Sequence, residues 1–389
     1  MSSLTCGDIV CRCGEHANCS HRLSIDIDNV FYADFRSVQR YGVHMDSALG
    51  MRPGAGRVTI ADVARAAGVS IPTVSKVINQ RDGVAPSTML RVQQVVEELG
   101  YETSLVARSL RSSRTGVVGI LVPEFEPFST ELLRGISRAA TGTGYELLAY
   151  AGLMTGADRP GWERRSLSRL SGTLIDGAIV VTPTTALSSS SIPVVAIDPH
   201  TGPEGHATVD ADNEGGGVDA VEHLVALGHT RIAHVHGRAD LASAQLREAG
   251  YRRALAAAGI TVDERLVRDG GYQEDQSAVV AHELLTMSDR PTAVFAANDS
   301  AAFGVLRAAA TLGLRVPEDL SVVGFDDVPQ ASMTNPPLTT VAQPLAELGS
   351  RAVEMLLTML RGEPASAHVR LPTTLRVRRS TGPAPRTTR

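Results

Sequence analysis

Residues 58–79 read VTIADVARAAGVSIPTVSKVIN, and this stretch decides how the first folded part of the chain is organised. Its apolar residues fall on one helical face over 60–67, so an amphipathic helix is predicted there. Thr59 stands at the position of a helix cap, and Asp62 follows three residues later as the second member of a capping box. Gly68 then supplies the left-handed backbone conformation that commonly ends a helix.

Two more helices are predicted beyond that turn. Ser70 caps the second helix, which tolerates Pro72 in its first turn. A third helix starts near Pro86 and ends at Gly100. These helices predict a small all-α helix-turn-helix domain over residues 57–103, whose second helix enters the major groove of DNA. The side chains predicted to face inward from the second and third helices are Val74, Val77, Ile78, Leu90, Val92, Val95, Val96 and Leu99.

The charge of the chain is unevenly divided. The 389 residues carry a net charge of −5, which by itself does not suggest a nucleic-acid binder. Residues 57–115 nevertheless contain eight Arg or Lys and five Asp or Glu, a net +3, so the other residues carry −8. A modestly basic head on an acidic body predicts that only the head meets nucleic acid.

The stretch 58–79 closely resembles the DNA-binding unit of the lactose-repressor/galactose-repressor family. Ile71 can touch a thymine methyl group, and Lys76 can approach guanine or a phosphate. Thr73 and Ser75 offer hydroxyl groups to base edges. A small helical bundle without a ligand is the alternative interpretation. The head residues to which the resemblance assigns DNA contact are Thr59, Ser70, Ile71, Pro72, Thr73, Ser75, Lys76 and Asn79.

Residues 104–115 form a short basic stretch, in which VARSL at 106–110 resembles the hinge helix of the same family. In that family a leucine of this helix enters the minor groove at the operator centre and kinks the DNA, a role that the resemblance gives to Leu110. Ala107 and Arg108 are the other contacts implied. So short a helix is marginal in isolation, and a plain linker is the alternative interpretation.

From residue 116 onward, apolar runs of strand length alternate with helical stretches. The predicted strands are 117–122, 146–150, 178–181, 194–197, 232–235, 293–296 and 321–323. The predicted helices are 130–140, 218–227, 244–258 and 301–312. Such alternation predicts parallel sheets covered on both faces. The span 116–380 is too long for one small sheet, which indicates two lobes.

Several segments of this body are also similar to the same family, among them GGVDAVEHLVALGHTRIA at 216–233 and VVGFDD at 322–327. The resemblance implies a two-lobed α/β domain for effector binding and dimerisation, with flavodoxin-like lobes as in periplasmic binding proteins. A hinge helix would join this domain to the all-α head. The chain would cross between the lobes near 210–213, near 340–343 and once more near the end.

The resemblance also places a small-molecule effector between the lobes, where polar residues follow strands or begin helices. Carboxylates accept hydrogen bonds from sugar hydroxyls, whereas Arg and Asn donate them, so the set suits a polyol. Phe128 can stack on the apolar face of a sugar, and Trp162 is a weaker candidate for that role. A surface cap or salt bridge is the alternative for each residue. The predicted effector-binding residues are Phe128, Asp198, Arg247, Asn298 and Asp326.

Both ends of the chain are predicted to be disordered. At the start, 1–56 is either an extension or a segment that precedes a later start near Met45 or Met51; at the end, the tail is 381–389. The spacing C-x4-C-x-C-x5-C does not match the paired knuckles of zinc sites, so no metal site is predicted. The four cysteines of the chain are Cys6, Cys11, Cys13 and Cys19.

Two classes of function compete for this body. An exported binding protein would need a signal sequence, and residues 1–20 lack the continuous apolar region of one. An α/β enzyme would need a nucleophile, a base or a nucleotide loop, and no such motif is evident. No apolar run is long enough to span a membrane. The sequence therefore predicts a cytoplasmic, non-enzymatic homodimer without a cofactor, which represses carbohydrate-use genes and responds to a sugar-like effector.

Overall fold

The computed structural model describes residues 58–79, 81–101, 114–152, 161–187, 190–202 and 206–385. The chain divides between Tyr101 and Glu102 into two compact units, called here the head and the body. The predicted extension at 1–56 and residues 104–113 of the predicted hinge lie outside the described ranges. Within those ranges, none of the helices has the length and apolar character needed to cross a bilayer.

In its described residues the head has three helices, α1 (Ile60–Ala67), α2 (Ile71–Ile78) and α3 (Pro86–Leu99). Thr59 and Asp62 form the predicted capping box at the start of α1, where the Thr59 N–H donates to Asp62 Oδ2 at 2.9 Å. These elements follow from local sequence alone, and they agree with the predictions.

The core of the head is small. Its central buried residues are Val63, Ala64, Ala67, Val74, Val77 and Val92. The prediction that Leu90 and Leu99 face inward is wrong, since Leu90 is 68% exposed and Leu99 is 38% exposed. Residue 90 lies two positions before the fully buried Val92, and a two-residue step turns a side chain to the opposite side of a helix. Only a narrow stripe of α3 therefore packs against α1 and α2.

The first lobe of the body is built on a six-stranded parallel sheet in the order β11-β5-β4-β3-β1-β2. Its strands, numbered in chain order, are β1 (Val117–Val122), β2 (Glu146–Ala151), β3 (Gly177–Val181), β4 (Val194–Ile197), β5 (Ala207–Ala211) and β11 (His368–Leu371). Its helices are α4 (Pro127–Ala140), α5 (Trp162–Leu170) and α10 (Leu345–Leu360). The central strands are buried on both faces, which explains their continuous apolar sequence.

The second lobe contains another six-stranded sheet, in the order β12-β10-β9-β8-β6-β7, in which β12 runs antiparallel to β10. Its strands are β6 (Ile232–His236), β7 (Val267–Asp269), β8 (Ala293–Ala296), β9 (Ser321–Asp326), β10 (Thr339–Ala342) and β12 (Thr374–Arg376). Its helices are α6 (Asn213–Ala226), α7 (Ala242–Ala257), α8 (Glu274–Leu285) and α9 (Asp299–Thr311), with 3-10 turns at Glu264–Leu266 and Pro329–Ser332.

The chain passes between the two sheets three times, as predicted. It leaves the first lobe after β5, returns between β10 and α10, and leaves again between β11 and β12. Helix α10 packs against β3, β4 and β5, and its residues Leu348 and Leu356 are buried in the core of the first lobe. The two lobes are therefore joined by three short connections.

The end of the chain corrects one prediction. A disordered tail was expected from residue 381, yet the Gly382 N–H donates to Ser321 Oγ at 3.1 Å and the Ala384 N–H donates to Leu227 O at 2.9 Å. A Pro-, Arg- and Thr-rich composition predicts little side-chain burial, but hydrogen bonds from the backbone hold these residues in place. The last residues, 386–389, lie outside the described part of the chain.

Candidate functional site

The start of α2 carries the first candidate surface. Ser70 caps this helix, because its Oγ accepts from the Thr73 N–H at 3.3 Å and shares a hydrogen bond with Thr73 Oγ1 at 2.9 Å. Ile71, which is 46% exposed, and Pro72 follow on the first turn and face solvent. An exposed isoleucine at the start of a helix leaves an apolar contact available to a partner.

The rest of α2 adds polar groups to this surface. Lys76 and Asn79 are exposed, and the Asn79 side-chain amide donates to the Ser75 carbonyl at 2.6 Å. Thr59 lies on a different helix start, and its hydroxyl donates to Asp62 Oδ2 at 2.6 Å, which lowers the pKa of that carboxyl. The helix thus gathers seven of the predicted DNA-contacting residues, whereas Thr59 acts as a cap on α1. Three further predicted contacts, Ala107, Arg108 and Leu110, lie outside the described residues.

The body holds a cavity of about 190 Å³ that is lined by residues of both lobes. Most of its polar lining comes from the carboxyl ends of parallel strands, where ligand contacts collect in open α/β sheets. Asp198 follows β4, Asn298 follows β8 and Asp326 ends β9. All five predicted effector-binding residues line this cavity, namely Phe128, Asp198, Arg247, Asn298 and Asp326.

Arg247 is the centre of a buried network. Its Nε donates to Asn213 Oδ1 at 2.8 Å, its Nη1 donates to the Ala297 carbonyl at 2.5 Å, and Asp326 Oδ1 lies 3.6 Å from Nη1. Asn213 in turn donates to Asp198 Oδ1 at 3.1 Å. Since Asp198 belongs to the first lobe and Arg247 to the second, the network links the lobes across the cavity. The guanidinium carbon also lies 3.8 Å from the centre of the Phe325 ring.

Asn298 and its neighbour Asp299 are engaged by the protein itself. Asn298 Oδ1 accepts from the Ala301 N–H at 2.8 Å and so caps α9. Asp299 accepts from Thr340 Oγ1 at 2.6 Å and from the Val328 N–H at 2.9 Å. The helix-cap alternative therefore applies to Asn298, whose amide nitrogen lies 3.4 Å from the Tyr272 carbonyl.

Backbone strain is concentrated at this cavity. Among the described residues, five that are not glycine have a positive φ, a conformation that costs free energy and persists where the surroundings enforce it. Four of them line the cavity, namely Thr182, Asp198, Tyr272 and Asp326. Strain at functional sites is common in proteins, and it marks the cavity independently of any resemblance.

Burial shapes the charges around the cavity. It raises the pKa values of Asp198 and Asp326, although the nearby Arg247 guanidinium opposes both shifts. It also raises the pKa of Glu126 to about 7, with the carboxyl of Asp326 adding to the effect. The pKa of His200 falls to about 4, chiefly because burial disfavours its charged form. The imidazole of His200 is therefore neutral near pH 7. Within the described ranges, no three His, Cys, Asp or Glu side chains group as a metal ion would require.

Comparison with known proteins accounts for both parts of the chain. The family described as "Bacterial regulatory proteins, lacI family" matches residues 59–104, and a "Periplasmic binding protein-like domain" matches residues 221–381. The transcriptional repressor PurR of Vibrio atlanticus (strain LGP32) is 38% identical over 313 residues, which are 78% of this chain and 92% of that protein. The chain belongs to the lacI family of bacterial regulatory proteins.

Other relatives of this lacI-family regulator lead to the same assignment. Catabolite control protein A of Priestia megaterium is 34% identical over 333 residues, covering 83% of this chain and 99% of that protein. The Lac repressor dimer bound to operator and the anti-inducer ONPF matches 84% of this chain with a TM-score of 0.73 and 29% identity, and all of that chain is covered. The regulator CelR in complex with cellobiose matches 83% of this chain, with a TM-score of 0.62, 33% identity and complete coverage of that chain. The predicted family and fold are confirmed.

The sequence of this lacI-family regulator did not reveal every cavity residue. Glu126 begins α4, Tyr272 follows the short strand β7, and His200 follows Asp198 after β4. None of the three stands in a motif that suggests a ligand. Asn213 does not line the cavity but bonds to Asp198 and Arg247, which do. It had one available signal, because it lies at the predicted crossing between the lobes, where a polar side chain can contact both.

Proposed function

We propose that this regulator binds a near-palindromic operator as a homodimer and represses carbohydrate-use genes. In this proposal the surface of α2 reads base edges, and Leu110 of the hinge enters the minor groove. An uncharged, sugar-like effector occupies the cavity of the body and changes operator affinity.

One observation carries this proposal: the cavity is walled by both lobes, and its lining residues Asp198 and Arg247, one from each lobe, are joined by hydrogen bonds through the buried Asn213. A ligand in that position contacts groups on both lobes at once. It therefore favours one relative arrangement of the lobes over another, and a ligand shifts an equilibrium by its difference in affinity for the two states. The carboxylates and the aromatic ring of Phe128 suit a polyhydroxylated compound.

The solved structures of relatives support a carbohydrate as the effector class. Besides CelR with cellobiose, the related structures include a lacI-family regulator of Enterococcus faecium with bound ribose and the Lac repressor bound to ONPG. Those ligands belong to those proteins, and they suggest which compounds to try first.

A paired measurement tests the proposal. The melting temperature of the full chain is recorded with a panel of neutral mono- and disaccharides, including cellobiose and ribose, because a ligand at 100 times its Kd stabilises the folded state by about 2.7 kcal/mol. DNA selected from a random pool by the same protein is then titrated with and without each stabilising sugar. A sugar that raises the melting temperature and changes the Kd for the selected DNA supports the proposal. A panel with no stabilising sugar contradicts the carbohydrate assignment.

The homodimer has its own test. A single head covers too few base pairs for high specificity, so two copies are expected on two half-sites. Sedimentation at micromolar concentration should give the mass of two chains. A monomer that binds the selected DNA tightly would contradict the dimer.

A further inference from the structure

The polar side chains of the cavity differ in whether they already have hydrogen-bond partners within the protein. Arg247, Asn298 and Asp299 each have hydrogen-bond partners within the body. Two other lining residues each hold a buried polar atom without a partner among the described residues. These atoms are the indole Nε1 of Trp162 and the imidazole Nδ1 of His200. Leaving a buried donor or acceptor unpaired destabilises the folded state, and folded proteins rarely do so without a reason.

Trp162 is held rigidly at the wall of the cavity. It is the first residue of α5 and only 5% exposed, and its ring packs with Leu121, Leu167 and other apolar residues of the first lobe. A Cβ added at Gly152 would lie 2.2 Å from ring atom Cε3, so one part of the ring is closely covered by backbone. A ring buried in this way offers little of its face for stacking on a sugar, which corrects the weaker role suggested from the sequence. The polar group of this side chain is the indole N–H, a hydrogen-bond donor.

The same loop fixes both residues. Glu163, next to Trp162, is fully buried and accepts from the Thr185 N–H at 2.6 Å and from Thr184 Oγ1 at 3.1 Å. The backbone N–H of His200 donates to the Pro183 carbonyl at 3.0 Å. The loop that follows β3 therefore anchors Trp162 from one side and His200 from the other, and it places both in one part of the first lobe.

The chemistry of the two groups selects a ligand group. An indole N–H can only donate, and a neutral imidazole accepts at Nδ1 when its proton lies on Nε2. Burial keeps His200 neutral near pH 7, as its lowered pKa shows. A hydroxyl group both accepts and donates, so it can satisfy the pair. An ammonium group cannot accept from Trp162, and a phosphate dianion cannot donate to His200 in the tautomer that carries its proton on Nε2.

The charge of the cavity also disfavours an anion. Glu124, Glu126, Asp198 and Asp326 line it, and its two arginines lie close to carboxylates. Arg247 lies 3.6 Å from Asp326, and Arg238 lies 2.7 Å from Asp240. Both arginines of the lining are thus already close to a carboxyl group, which weakens their attraction for a phosphorylated sugar.

We propose that Trp162 and His200 form a hydroxyl-recognition subsite in the first-lobe wall of the cavity, which binds an uncharged hydroxyl group of the effector and rejects phosphorylated sugars. This inference rests on the proposed function, since it takes the cavity to be the effector site. The effector hydroxyl accepts from the Trp162 indole and donates to His200. The two residues thus determine specificity, whereas the Arg247 network fixes the opposite wall.

The chain contains a single tryptophan, so one NMR cross-peak reports on this subsite. The full-length protein is labelled with ¹⁵N-tryptophan, and the indole N–H signal is recorded with cellobiose, with ribose, with any other sugar that raises the melting temperature, and with glucose 6-phosphate. A bound neutral sugar is expected to move the indole proton downfield and to slow its exchange with water. Glucose 6-phosphate is expected to leave both unchanged.

Three variants test the pair by calorimetric titration with the stabilising sugar. Trp162→Phe keeps a ring but removes the donor, and it should weaken binding about tenfold, the value of one hydrogen bond at a desolvated site. His200→Leu should do the same, and His200→Asn, which restores a polar group near the Nδ1 position, should recover part of the loss. The matched control is His206→Leu, since both ring nitrogens of His206 are also buried without partners but lie outside the cavity. It should bind the sugar like the wild type.

The outcomes separate this inference from the proposed function. If a sugar raises the melting temperature but leaves the indole signal in place, the cavity binds sugar and the subsite is wrong. If Trp162→Phe fails to fold, the wild-type indole signal and His200→Leu still decide. If no sugar stabilises the chain and the signal never moves, the proposed function and the subsite fail together.

Discussion

The head and the body hold their recognition residues in different ways. In the head, the contacts that set the surface of α2 join residues three or four apart, such as Ser70 with Thr73 and Ser75 with Asn79. In the body, Arg247 contacts residues 34 and 50 positions away in the chain. The head therefore exposes polar groups whose positions are set by hydrogen bonds between near neighbours in the sequence. The body instead buries its polar groups in a network that exists only once both lobes have folded.

This difference predicts unequal sensitivity to mutation. Removing a buried charge leaves its partners uncompensated, and such changes commonly cost about 3–5 kcal/mol. Losing one exposed cap costs about 1 kcal/mol.

Arg247→Leu should produce the largest loss. It removes the guanidinium from Asp326 and Asn213, so the unfolding free energy should fall by about 3–5 kcal/mol, and binding of any stabilising sugar should disappear. Urea unfolding followed by circular dichroism measures the first effect. The control is Arg253→Leu on the same helix, since Arg253 is 57% exposed and pairs with Glu214 at the surface, where a pair contributes at most about 1 kcal/mol. Similar losses of unfolding free energy in the two variants would contradict the expected difference between a buried and an exposed arginine.

Leu110→Ala probes the segment between head and body. If Leu110 is the minor-groove wedge, operator binding should weaken by about 1–3 kcal/mol. Binding to random DNA depends on phosphate contacts and should hardly change. Fluorescence anisotropy with selected and scrambled duplexes separates the two. Equal weakening on both duplexes, or a less stable free protein, would make Leu110 a packing residue instead.

Glu126→Gln tests whether burial in the body controls stability through pH. The pKa of Glu126 is raised to about 7 from an ordinary value of 4.5. The folded state therefore keeps a proton that the unfolded chain has lost, and this contribution to stability disappears as pH rises from about 4.5 to about 7. The variant should flatten that decline by at most about 3 kcal/mol, since the pKa difference of about 2.5 corresponds to about 1.4 kcal/mol per unit and solvent screens the half-buried carboxyl.

Urea unfolding between pH 4.5 and 8 gives this slope for both proteins. Glu354→Gln, at a side chain that is 60% exposed, serves as the control and should leave the slope unchanged. A parallel decline in the wild type and in Glu126→Gln would mean that other groups, such as Asp198 and Asp326, account for it.

Ser70→Ala should produce the smallest effect, and it stays within the head. The variant loses the cap on α2, so helix stability should fall by about 1 kcal/mol. Amide hydrogen exchange of the full chain should show faster exchange in α2 and no change in the body. Ser87→Ala, at an exposed position of α3, is the control. An effect of Ser70→Ala that reaches the body would show that the two units are not independent.

The parts that the sequence predicted well share a physical reason. Strands such as β1, β3 and β8 are buried on both faces, so each appears as a continuous apolar run. The helix starts at Thr59 and Ser70 depend on local hydrogen bonds that the residue types reveal. The edge strands β7 and β12 contain Arg and are only three residues long, and no periodicity can emerge from three residues.

The candidate site was predictable only in part. The five predicted lining residues rest on resemblance to a family, since no local pattern distinguishes Arg247 from the half-buried Arg252 and the exposed Arg253 further along the same helix. His200 and Glu126 were missed because their importance comes from burial at strand ends that meet only in the fold. The unpaired indole nitrogen of Trp162 likewise depends on what packs around it, which one sequence does not specify.

The interleaved path of the chain has a consequence for its synthesis. The second lobe draws nearly all its elements from one continuous segment, α6 to β10, whereas the first lobe lacks α10 and β11 until residues 345–371 have been made. A chain emerging from the ribosome can therefore close its second lobe while the earlier-made sheet still exposes the apolar face that α10 later covers. During translation, chaperones would bind this exposed apolar face, and misassembly of the chain would start from it. The core of the first lobe is thus completed by a helix that is made after most of the second lobe.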